Sequence, residues 1–111
     1  MAKAKTATTT KSSKAKTDAG KRLKQAQRAA LLLKQVSDPT RLRIVLMLVE
    51  GEKHVGGICG RLKQSQPATS HHLTLLRLGG IIALRRQGKN NFYALTEAGE
   101  QLASIVKDVV G

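Results

Sequence analysis

Ser65-Gln66-Pro67-Ala68-Thr69-Ser70-His71-His72-Leu73-Thr74-Leu75-Leu76-Arg77-Leu78-Gly79-Gly80 is the stretch that decides the fold. Ser65 supplies the side-chain oxygen that caps a helix N-terminus, and Pro67 is tolerated in a first turn. Gly79-Gly80 stops the helix after Leu78. Thr69, His72, Leu73 and Leu76 recur at the spacing of one helical face, which predicts an inward stripe. The opposite side presents Pro67, Ser70, His71 and Thr74, flanked by Gln66 and Arg77. Short polar groups and a histidine on a slim helix are what the major groove of a duplex accepts.

Working upstream, Val55 to Leu62 reads as a short helix burying Val55, Ile58 and Leu62, although Gly56 and Gly57 weaken its start. The tight turn between these two segments makes them a helix-turn-helix. Before them, Ser37-Asp38-Pro39 opens a helix from Thr40 to Val49, with Asp38 as cap and Pro39 as first residue. That helix is apolar nearly all round, the mark of a buried centre. A first helix from about Lys21 to Gln35 carries Leu23, Ala26, Ala30 and Leu33 on one stripe. Downstream, Ile81–Arg86 and Asn91–Leu95 are strand-like, joined by Gln87-Gly88-Lys89-Asn90 as a hairpin with a basic tip. Thr96 then caps a last helix from Glu97 to Val110, with Leu102, Ile105, Val106 and Val109 on one face.

The expected fold is therefore mainly α with a β-hairpin wing, in the order α-α-α-α-β-β-α: a winged helix-turn-helix. In so small a body the amphipathic first and last helices have few internal surfaces to cover. They are expected to pair with a second copy through Leu23, Ala30, Leu33, Leu102, Ile105, Val106 and Val109.

The chain has 111 residues and a mass of 12.0 kDa, room for one small domain. Hydrophobic residues make up 41% but the aromatics are only Phe92 and Tyr93, so the core is aliphatic. Against 20 Lys and Arg stand 7 Asp and Glu, a net charge of +13. The charge is unevenly spread. Residues 1–24 hold a net +7, and residues 2–17 are only Lys, Thr, Ala and Ser, too polar to order themselves. Residues 1–20 are thus expected to form a flexible basic arm ahead of a folded domain, 21–111. Between Lys53 and Thr96 lie seven basic residues and no acid, so this part of the folded surface is expected to approach phosphates without repulsion.

Several motifs together resemble the ArsR/SmtB family of bacterial winged-helix repressors. They are Ser37-Asp38-Pro39-Thr40-Arg41-Leu42-Arg43-Ile44, Ser65-Gln66-Pro67-Ala68-Thr69-Ser70-His71-His72-Leu73, and Leu76-Arg77 with Gly79-Gly80-Ile81-Ile82. The turn Arg86-Gln87-Gly88-Lys89 followed by Phe92-Tyr93 looks like that family's wing. The resemblance covers about residues 30–96 and implies a homodimer that binds an operator in double-stranded DNA and represses transcription. Carried over, it puts Gln66, Pro67, Ser70, His71, Thr74 and Arg77 on the DNA-reading helix, and Arg85, Arg86, Lys89 and Asn90 on the wing. The family's thiol sensor uses Cys-Val-Cys where this chain has His54-Val55-Gly56. Its other metal site uses Asp and His on the last helix, where this chain has Thr96-Glu97-Ala98-Gly99-Glu100. No metal or other cofactor is expected at either place, and the sequence specifies no effector. Thr69 stands where the family usually buries an aliphatic residue.

Other readings are weaker. No Ser–His–Asp or phosphate-loop spacing supports an enzyme. His71 and His72 are adjacent, so on a helix they diverge by roughly 100° and do not easily share an ion. His54 and Cys59 leave an atypical metal or redox sensor as an alternative, with Arg61 or Lys63 able to activate the thiol. An architectural, sequence-tolerant DNA-binding protein is a second alternative, favoured by the lysine-rich arm. An RNA-binding module lacks a stacking platform beyond Phe92-Tyr93. One cysteine, no apolar run long enough to span a bilayer and no hydrophobic leader point to a cytoplasmic protein without membrane contact.

Overall fold

The computed structural model of the chain describes residues 12–111. Its contacts divide it into two units, one ending at Leu31 and one running from Leu32 to Gly111. In the first, helix α1 starts at Ser12 and continues to Gln35. Residues 12–20, expected in the arm, are therefore helical: Lys, Ala and Ser carry no helix-breaking chemistry, and lack of apolar residues does not prevent a backbone helix. Residues 1–11 of the expected arm lie outside the described residues. Side chains 21–31 of α1, Leu23 and Ala30 among them, are exposed.

The second unit begins its new elements with α2, Pro39–Leu48. The Asp38 carboxylate accepts the Arg41 N–H at 3.0 Å, satisfying one of the first orphan donors. Ile44, Val45, Met47 and Leu48 are buried, as a helix apolar on most sides requires. Next comes a two-residue strand that periodicity does not reveal, β1, Lys53–His54. Helix α3, Val55–Leu62, follows directly and ends on Lys63, whose φ of 56° is left-handed. There the Lys63 N–H reaches back to the helix carbonyls, the role usually given to glycine. Helix α4, Gln66–Leu78, starts after a turn of three residues, capped by Ser65 accepting the Ala68 N–H at 3.3 Å.

Strands β2, Ile82–Gln87, and β3, Asn90–Leu95, form the hairpin, with Ile82 opposite Leu95 and Gln87 opposite Asn90. The loop is thus two residues, Gly88-Lys89, rather than the four expected. Gly88 takes φ 62° while Lys89 stays at negative φ, the pattern of a turn whose twist matches its strands. Lys53 and His54 pair with Tyr93 and Phe92, so the sheet has three antiparallel strands in the order β1-β3-β2. Such a short strand has no sequence signature; only β3's free edge calls it into the sheet.

Helix α5, Glu97–Val110, is capped by Thr96, whose Oγ1 accepts the Gly99 N–H at 3.1 Å and donates toward the Gly80 carbonyl at 2.6 Å. The core gathers Val36, Ile44, Val45, Ile58, Leu73, Leu76, Ile81, Ile82 and Leu102 between α2, α3, α4, the hairpin and α5. Leu102 is only 5% exposed, so it is a core residue and not part of a face for a second copy. The first half of α5 packs inward through Gly99, Leu102 and Ala103, and its last turns carry Ile105, Val109 and Val110 outward. Among the described residues, no helix is long and apolar enough to cross a membrane.

Candidate nucleic-acid interface

Helix α4 has no acidic residue, and its inward side is fixed by Thr69, Leu73 and Leu76. Gln66, Pro67, His71, Thr74 and Arg77 are exposed, and Ser70 is half-buried beside them. The expected reading face therefore lies on one continuous side of one helix. His72 is half-buried on the other flank, with Nδ1 3.8 Å from Asp38 Oδ2 and 3.4 Å from an Arg41 guanidinium nitrogen. Arg41 is itself anchored on the Gln35 carbonyl at 2.6 Å. His72 thus ties α4 to the start of α2.

The surface expected to lack carboxylates does not lack them in space. Glu50 and Glu52 precede the basic block in sequence, yet the chain folds them onto it. Glu50 forms a two-armed pair with Arg61, at 2.9 and 3.2 Å, and a 3.2 Å contact with Lys53. Hydrogen bonds from Arg61 and then Lys53 pull its carboxyl down to about 2. Glu52 holds Arg85 at 2.6 and 2.8 Å, and this pairing lowers the Glu52 carboxyl and raises the Arg85 guanidinium. Arg85 also lies 4.7 Å over the Phe92 ring.

The wing residues therefore fall into two groups. Arg85 and Asn90 are held by the protein: Arg85 by Glu52, and Asn90 through its Oδ1, 3.3 Å from His54 Nε2. Both side chains are nonetheless exposed, so for Arg85 to touch DNA a phosphate would have to take the place of Glu52. Arg86 and Lys89 are exposed and form no ion pair among the described residues. Lys63, at the turn before α4, is likewise exposed and unpaired among them. It was not among the sequence-derived site residues, though its place between two helices of a helix-turn-helix was signal enough.

The geometry also speaks to the metal sites of the resembling family. His54 spends Nδ1 on the Gly56 N–H at 2.9 Å and Nε2 on Asn90, and Gly56 has no side chain. The position of the thiol sensor thus does not fit a metal. Cys59 is a free, half-buried cysteine. Among the described residues, no three His, Cys, Asp or Glu side chains gather as a metal would need.

Comparison with known proteins meets this geometry. A model of bacterial regulatory proteins of the arsR family matches residues 38–83, from the α2 cap to the start of β2. A helix-turn-helix-type transcriptional regulator of Methanocaldococcus jannaschii is 37% identical over 86 residues, 77% of this chain and 94% of that protein. The chain belongs to the arsR family. Two solved structures share the regulator's fold. The transcriptional repressor BigR of Xylella fastidiosa superposes with a TM-score of 0.72 at 41% identity, covering 81% of this chain and 93% of that one. A homodimeric winged helix-turn-helix DNA-binding domain of Mycobacterium bovis gives a TM-score of 0.73 at 26% identity, covering 80% and 83%. The regulator is a winged-helix, DNA-binding transcription factor, and α3, α4 and the hairpin are its helix-turn-helix and wing.

Proposed function

We propose that the regulator acts in the cytoplasm, without catalysis, as a homodimeric repressor that lays α4 in the major groove of its operator. One observation carries this: α4 is a helix free of carboxylates whose exposed side is a row of short polar groups ending in Arg77. Gln66 would read a base, adenine by its two-pronged amide chemistry, with Ser70, His71 and Thr74 beside it. Arg77, Lys63, Arg86 and Lys89 would hold phosphates and set the register. The basic residues before Lys21 add charge that favours any duplex. Pairing through α1 and the end of α5 in a second copy would place half-sites roughly 34–36 Å apart. The names of BigR as a repressor and of the Mycobacterium bovis domain as a homodimer support repression and pairing.

The test is footprinting on the DNA upstream of the regulator's own gene, followed by competition with random duplex. A repressor prefers its operator by roughly a thousandfold or more. Near-equal binding would instead identify a sequence-tolerant architectural protein. Within the footprint, Gln66→Ala is expected to cost about 1–3 kcal/mol at one base position. A uniform loss over all sequences would remove Gln66 from base reading.

A further inference from the structure

His54 touches three elements at once. Its backbone belongs to β1 and pairs opposite Phe92 of β3. Its Nδ1 accepts the Gly56 N–H at 2.9 Å and caps α3. Its Nε2 lies 3.3 Å from Oδ1 of Asn90, the first residue of β3 after the wing turn. The ring also meets Phe92 edge-on, with centroids 5.3 Å apart and planes at 71°. Phe92 in turn lies under the Arg85 guanidinium, which is held by Glu52, the residue just before β1.

These bonds fix the ring's protonation. An N–H donor can only be capped by a lone pair, so Nδ1 is bare and the single ring proton sits on Nε2, where it points at Asn90. We propose that His54 is a positioning residue for the wing, a latch that joins Asn90 to the α3 cap while its imidazole is neutral and lets go when the ring takes a second proton. The added proton comes from solvent and occupies the Nδ1 lone pair. Two donors, Gly56 N–H and Nδ1–H, then face each other at 2.9 Å, and the ring must turn.

The carboxylates of this neighbourhood already have cationic partners. β3 carries no charged side chain, β2 offers Arg85 and Arg86, and the turn offers Lys89. Within β1, Lys53 is a cation paired with Glu50, and α3 brings Arg61. Glu52 is the carboxylate of this network, and both its oxygens are on Arg85. Turning the ring therefore breaks the cap and the Asn90 bond together. Since Lys89 adjoins Asn90, the consequence for DNA rests on the reading of the wing as a phosphate contact.

The test has one arm without DNA and one with it. In the free protein, backbone amide resonances of residues 88–91 are followed by NMR from about pH 8 to about pH 5, beside the His54 ring protons. The wing amides are expected to move with the midpoint of the His54 ring. In Asn90→Ala they should no longer do so. His54→Asn keeps a capping oxygen for Gly56 but has no ring to reach Asn90, so it separates the latch from the stability of α3. In the second arm, binding of a mixed-sequence duplex near neutral pH is compared for these variants. His54→Asn and Asn90→Ala are each expected to weaken it roughly two- to tenfold, the worth of one hydrogen bond. The double variant should be no weaker than the weaker single one. Wing amides indifferent to His54 titration, or single losses that simply add, would overturn the proposal. Tracking of His54 by the wing in a protein that binds no duplex would uphold the latch and defeat the DNA-binding reading instead.

Discussion

Gly99 sits in the first turn of α5 and is buried. Helix propensity says that alanine there should help, by about 1 kcal/mol. The packing says the opposite. A Cβ on Gly99 would press on the Ile81 carbonyl oxygen, well short of the roughly 3.5 Å of ordinary carbon contact. It would also stand 3.1 Å from Leu95 Cδ2. The oxygen cannot simply retreat, because it accepts the Thr96 N–H at 3.0 Å and faces Thr96 Oγ1 at 3.0 Å. Overpacking of this kind costs about 1–3 kcal/mol, and straining the two Thr96 bonds adds about 1 kcal/mol. After the propensity gain, Gly99→Ala is expected to destabilise by about 1–3 kcal/mol. Gly57 of α3 provides the control, since a Cβ there meets nothing within 4 Å. Gly57→Ala should stabilise by about 0.5–1 kcal/mol. Urea unfolding followed by circular dichroism, at equal protomer concentration, measures both. A Gly99→Ala protein as stable as the parent would refute the close packing of α5 on Ile81.

Thr69 is fully buried and its Oγ1 has no hydrogen-bond partner, so Thr69→Val should raise stability by about 1 kcal/mol in the same assay; a loss would mean the hydroxyl is satisfied. Glu50's carboxyl is lowered from 4.5 to about 2 by Arg61 and Lys53, so its contribution is complete above 4.5 and disappears as pH falls toward 2. Asp38, through the Arg41 N–H first, and Glu52, through Arg85, shift the same way. Melting temperature against pH should therefore fall in that window, and Glu50→Gln should make the fall shallower; an unchanged slope would count against the pairing. Ile105 is exposed on α5 away from the core, and Ile105→Glu is expected to shift sedimentation toward the monomer while leaving the circular dichroism spectrum intact. A dimer that survives the change would move the pairing face elsewhere.

Much of the fold was written locally. Caps at Asp38, Ser65 and Thr96 announce three helices because the bond each makes spans only three residues. The stripe Thr69, Leu73 and Leu76 fixes which side of α4 turns inward, and so which side is left to solvent. The hairpin was legible, but its loop is shorter than the four residues expected: Gly88 at φ 62° and Lys89 alone make the turn, and Gln87 pairs with Asn90 across it. The polar face of α4 was legible for the same reason as its helix, since it needs only the helical period.

Charge neutrality was a different matter. Sequence determined the helices, the hairpin, the exposed polar side of α4 and the excess of positive charge, because each depends on neighbours within a few residues or on composition alone. Only the folded chain decided which cations are free, because Glu52 meets Arg85 across 33 positions and His54 meets Asn90 across 36. It also decided that Leu102 belongs to the core and that Gly99 has no room for a methyl group. Pairing and packing of this kind depend on distances between segments, which no local pattern encodes until the core brings them together.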